Sequence, residues 1–130
     1  MFKTTELTEL TETPQPDPLT GKVIGCALEV HKYLGPGLLE STYKQCLAHE
    51  LTLANVSFQL DAPVTIYYKG VTLDCGYRAD IIVEDFLIVE LTSVECVTPI
   101  HHAQLLAYMR LAEAPTGLLI NFNVNLLREG

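Results

Sequence analysis

At 130 residues the chain has room for one domain with a single core. Its formal net charge is −8, from 16 acidic against 8 basic residues, and a body of that sign repels phosphate backbones unless metal ions or a local basic patch intervene. General nucleic-acid binding is therefore disfavoured. Hydrophobic residues make up 48% of the chain, more than so small an interior hides, which predicts a subunit interface and hence a homo-oligomer. No apolar run reaches the length of a membrane span and the first residues lack the apolar core of a signal peptide, so the expectation is a cytoplasmic protein with no membrane contact. Cys26, Cys46, Cys75 and Cys96 are too widely spaced for close zinc-ligand pairs and read as free, mostly buried thiols.

Residues 1–18 are rich in Thr, Glu and Pro and end in TPQPDP, where the prolines neither continue a helix nor pair in a sheet; they read as a flexible leader to a single domain over 19–130. From Thr20, a capping residue, TGKVIGCALEVHKYLGPG predicts a helix with Ile24, Ala27, Leu28, His31 and Leu34 on one face and Gly35-Pro36 as its stop. A second helix is predicted over about 39–54, closed by Asn55 in a left-handed conformation. The period then changes. From Ser57 to Leu91 the chain is β-branched and aromatic, broken at Lys69-Gly70, Asp74-Cys75-Gly76 and Glu84-Asp85, which predicts three to four antiparallel strands. Thr98-Pro99 opens a third helix that runs to Ala112, and GLLINF forms a last strand. The order ααββββαβ is an α/β chain with a mixed sheet flanked by helices.

Two carboxylates stand in the stretch YRADIIVEDFLIVELTSVE, where apolar strands should avoid them: Asp80 and Glu90. A charged group in a buried strand costs several kcal/mol unless it is paired or neutralised. A divalent cation held between two such acids removes both penalties, and hard oxygen ligands suit Mg2+ or Mn2+. Hairpin geometry sets the condition. A two-residue Glu84-Asp85 loop puts the two acids on opposite faces, whereas an odd loop or a bulge puts them on one face. The competing reading places both acids at strand ends, in salt bridges to Arg78 or another neighbour.

Gly37-Leu38-Leu39-Glu40-Ser41-Thr42-Tyr43 matches a GxxExxY signature, and EVHKYLGPGLLESTY, YKGVTLDCGYRAD, IVEL and HHAQLLAY followed by GLLINFNV occur around it in order. From about Leu19 to its end the chain thus resembles the GxxExxY protein family, which is similar in pattern to the PD-(D/E)xK nuclease superfamily. That resemblance implies a restriction-endonuclease-like αβββαβ core and metal-dependent phosphodiester chemistry. It makes Asp80 the metal-binding aspartate and Glu90 the acid of the (D/E)xK element, with the carbonyl of Leu91 as a third ligand. Glu40 resembles the helical glutamate that reaches the metal directly or through water. Gln104 and Tyr108 resemble a QxxxY pair, one helical turn apart on a single face, with His101 a turn earlier.

The pattern departs at position 92, where lysine is expected and the chain carries Thr92. In such nucleases the ammonium orients or deprotonates the attacking water and offsets charge on the phosphate. Threonine carries no charge and is no base at neutral pH. The resemblance therefore implies a nuclease-fold protein with weak or absent activity, or alternatively a non-catalytic self-assembling or protein-binding module on the same fold. Arg78, opposite Thr92 if Asp80 pairs with Glu90, and His101 are the candidate substitute cations.

Overall fold

The structure is a computed structural model that describes residues 7–11 and 18–124. Helix α1 spans Pro18–Leu34. It starts at the proline, whose fixed φ suits a first helical turn, so Thr20 lies inside the helix and is buried rather than capping it. Helix α2 spans Glu40–Leu53, and Asn55 follows it at φ 58°, the left-handed closure expected from the sequence.

Five strands lie between α2 and the third helix, more than the three to four expected: β2 (Phe58–Pro63), β3 (Ile66–Tyr68), β4 (Val71–Leu73), β5 (Arg78–Val83) and β6 (Leu87–Thr92). Helix α3 (Pro99–Leu111) then leads to β7 (Thr116–Asn121). A further strand, β1 (Leu7–Thr11), pairs antiparallel with β7 and completes a mixed sheet of order β1-β7-β6-β5-β2. Among the described residues only β6 and β7 run parallel, joined by the α3 crossover. β3 and β4 form a separate hairpin outside the main sheet. With α1 also set aside, the elements α2-β2-β5-β6-α3-β7 follow the expected αβββαβ order.

Strand alternation sorts the core into two layers. Ile81, Val83, Leu87, Val89, Leu118 and Ile120 pack with Val23, Ala27, Leu47 and Leu51 of α1 and α2. On the opposite side Ile88 and Leu119 pack with Leu105, Tyr108 and Met109 of α3. That second contact depends on Gly117, where a Cβ would meet Met109 Sδ at 2.6 Å and Leu105 Cδ1 at 2.9 Å.

Two further expectations need correction. Leu7–Thr11, read as part of a leader outside the sheet, forms β1: Leu7 is buried in the core, and the backbone satisfies the otherwise open edge of β7. The Pro-rich stretch 12–17 lies outside the described residues. Of the four free cysteines only Cys26 is buried; Cys46 is half-buried, and Cys75 and Cys96 are exposed on connecting segments. Among the described residues no helix is long and apolar enough to cross a membrane.

Candidate functional site

The β5–β6 hairpin decides the site. Its loop holds three residues, Glu84 to Phe86, with Glu84 (φ 51°) and Asp85 (φ 53°) both left-handed and Phe86 N–H donating to Val83 O at 3.0 Å. The ladder pairs Val83 with Leu87, Ile82 with Ile88 and Ile81 with Val89. Continued by one residue, that register sets Asp80 opposite Glu90 on the same face of the sheet, the face that α3 covers. The ladder itself ends at Ile81–Val89. The Leu91 N–H instead donates to Asp80 Oδ2 at 2.8 Å, so a carboxylate takes a bond that a regular ladder would give to backbone.

Glu90 is half-buried, but its Oε1 is sealed from solvent and has no hydrogen-bond partner. Burial, reinforced by the neighbouring Asp80 carboxylate, pushes its pKa up to about 9, so at neutral pH the acid is held in its protonated form. An orphaned carboxyl oxygen beside a second carboxylate is an incomplete arrangement of protein groups. The set fits a hard divalent cation: Asp80 and Glu90 would hold it, with further oxygen ligands from backbone, water or substrate. Among the described residues, however, no group of three or more His, Cys, Asp or Glu side chains stands close enough to hold a metal ion.

Glu40, Asp80, Glu90, Leu91 and Gln104 line one cleft of about 340 Å³, together with Arg78, Thr92 and His101. Glu40 faces the cleft from the first turn of α2 without joining the two strand acids in a ligand cluster. Its Oε1 accepts from Ser93 N–H at 3.3 Å, just beyond β6, rather than capping its own helix. Tyr108 does not line the cleft: it is buried behind Gln104, whose Nε2 donates to the phenol oxygen at 3.1 Å. His101 lines the cleft, and its Nδ1 accepts from Thr98 N–H at 3.0 Å at the start of α3. Arg78 is tied to the exposed Asp74 carboxylate at 3.2 and 3.4 Å and to Tyr77 O at 2.9 Å. Thr92 is buried and places no charge in the cleft.

Sequence reasoning overlooked Lys44 and Asp61. Lys44 lies one helical turn after Glu40, on the same face of α2, and its Nζ stands 2.6 Å from Asp61 Oδ1 and 3.7 Å from Asp80 Oδ1. The bond to Asp61 raises the pKa of this ammonium, against the opposing effect of burial. Asp61 sits at φ 49° within β2, between the pairs Leu60–Ile81 and Ala62–Ala79, and so at the position facing Asp80. The i, i+4 spacing of Glu40 and Lys44 was the available signal. Nothing in the linear sequence marked Asp61.

The sequence model of the PD-(D/E)XK nuclease superfamily matches residues 17–130, and the chain belongs to that superfamily. No match is found among curated proteins or among solved structures.

Proposed function

We propose that the chain is a metal-dependent phosphodiesterase of nuclease type, acting on nucleic acid with Mg2+ or Mn2+ held by Asp80 and Glu90. The observation that carries this reading is the register of β5 on β6, which sets those two acids on one sheet face, with Glu90 Oε1 buried, unpartnered and beside Asp80. A cation there supplies a Lewis acid and lowers the pKa of a bound water. The chain's own residues do the rest. Asp80 is positioned by Leu91 N–H. Gln104, braced by Tyr108, offers an amide to the substrate from the α3 wall. Thr92 leaves the strand position for the pattern's cation uncharged, so activity falls below that of a site with lysine there.

Two measurements on wild type and Asp80→Ala test this. Calorimetry with manganese is expected to show one binding event that the substitution removes. Nicking of supercoiled plasmid and decay of a labelled single strand are expected in wild type only. A wild type that binds no manganese sinks the reading.

A second reading, a self-associating module, is favoured by the β3–β4 hairpin. Tyr67, Tyr68, Val71 and Leu73 are all exposed there, outside the main sheet. Against a second copy of the chain, related by a two-fold axis, that surface would be covered. Light scattering at tens of micromolar reads the mass directly, and a monomer of 14.4 kDa refutes self-association.

A further inference from the structure

The geometry points to Lys44 as the residue that presents positive charge to a bound phosphodiester, the part that a lysine at position 92 plays in the superfamily pattern, with Asp61 as the residue that positions it. This assignment rests on the nuclease reading for its substrate class. It rests on this chain's own contacts for the residue.

Three basic side chains stand at or beside the cleft, and their partners separate them. Arg78 lines it, yet its guanidinium is held by both oxygens of Asp74 and by Tyr77 O. His101 is tied through Nδ1 to the backbone that starts α3. Lys44 alone stands within ion-pair distance of Asp80, at 3.7 Å from Oδ1, while Oδ2 of the same carboxylate is engaged by Leu91 N–H. Lys44 approaches from α2, a different element from the one that would carry the strand lysine. The charge nevertheless ends beside the same carboxylate.

A second observation indicates that this placement is built. Asp61 adopts φ 49°, a conformation that a residue within a strand rarely takes, and it interrupts the β2–β5 pairs on the row that faces Asp80. Aspartate tolerates that region better than most residues. Its side chain holds Lys44 Nζ at 2.6 Å. Asp61 is 60% exposed, so the ion pair is largely solvated and weak, and a phosphate oxygen can take the ammonium from it without leaving a buried charge behind. Lys44 itself is only 18% exposed at its side chain, and its Nζ lies 3.7 Å from Asp80 Oδ1.

The test compares wild type, Lys44→Met, Lys44→Arg and Asp61→Asn. Binding of a fluorescent single-stranded oligonucleotide is measured against salt concentration, with calcium, a hard cation taken by oxygen ligands, in place of magnesium. Loss of one phosphate contact lowers the slope of log K against log salt by about 0.7 for a single strand. That drop is expected in Lys44→Met and not in Lys44→Arg. Asp61→Asn, which suits the left-handed backbone, is expected to keep the slope and weaken binding a few-fold. A lysine that merely stabilised the fold would shift the melting temperature and leave the slope unchanged. An unchanged slope in folded Lys44→Met, or no binding by wild type, overturns the assignment. Cleavage with manganese is read in parallel, and Lys44→Met is expected to lower it about 100-fold, the usual effect of removing one preorganised charge-stabilising group. If wild type cleaves through Asp80 but Lys44→Met neither cleaves more slowly nor changes the slope, the nuclease reading stands and Lys44 falls. If the slope depends on Lys44 and nothing is cleaved, the nuclease reading falls and Lys44 stands as a phosphate-binding residue.

Discussion

Replacing Glu90 by glutamine is expected to stabilise the metal-free protein, increasingly so as pH rises. The folded-state pKa of Glu90 is raised from 4.5 to about 9, chiefly by burial and then by Asp80. The direction of the pH effect follows from that shift. Below the unfolded value the acid is protonated in both states and costs nothing. Above it the unfolded chain releases the proton while the folded chain holds it, so stability is lost until the pH passes the folded value. The loss is ~1.4 kcal/mol per pH unit, so by pH 7 it amounts to roughly 3.5 kcal/mol as an upper bound. Glutamine removes the titration but leaves a buried amide oxygen to satisfy, so part of the gain is cancelled. For a domain of this size 1 kcal/mol shifts the melting temperature by about 3 to 5 °C, and a rise of roughly 5 °C is expected at pH 7. Thermal unfolding in EDTA, followed from pH 5 to pH 8, reads it. The two proteins should melt close together at pH 5 and diverge above. A difference that stays flat with pH, or a variant less stable than wild type at pH 8, refutes the argument that the fold holds Glu90 protonated.

The same proton makes metal binding pH-dependent: at pH 7 manganese is expected to displace close to one proton, seen as a dependence of calorimetric enthalpy on the buffer's ionisation enthalpy, with affinity rising as pH rises. Gly117→Ala should destabilise by about 1 to 3 kcal/mol, because its Cβ would overlap Met109 Sδ and Leu105 Cδ1 at 2.6 and 2.9 Å; chemical denaturation measures this. Thr92→Lys in the Lys44→Met background should restore manganese-dependent nicking at least about tenfold, since the β5–β6 register points position 92 to the same face as Glu90; an unchanged rate would show that a strand cation no longer serves this cleft.

Much of the fold was legible because local signals and global packing agree. Asn55 and Thr98-Pro99 mark helix ends by backbone chemistry alone, and the change from helical to strand period after Ser57 needs no tertiary information. The failures occurred where tertiary context overrides a local signal. LTELT is too short and polar to declare itself a strand; the open edge of β7 recruits it, and Leu7 then finds the core. The cysteines were misjudged for a related reason. A thiol is usually buried, but Cys75 and Cys96 lie on connecting segments, where turn geometry rather than hydrophobicity sets position.

At the site the limit is of another kind. Asp80 and Glu90 could be named from sequence, yet whether they meet depends on loop length. A two-residue turn between the same strands would have turned them to opposite faces. The left-handed conformations of Glu84 and Asp85 with Phe86 completing the loop choose the odd count, and a single residue thus separates a paired acid site from two unrelated carboxylates. Lys44 lies beyond even that reasoning. Its place beside Asp80 comes from the packing of α2 against the sheet and from the left-handed backbone of Asp61, neither of which has a periodicity to read. The missing strand lysine was visible in sequence as a loss. The ammonium that stands beside Asp80 is visible only in three dimensions, because it is carried by a different element.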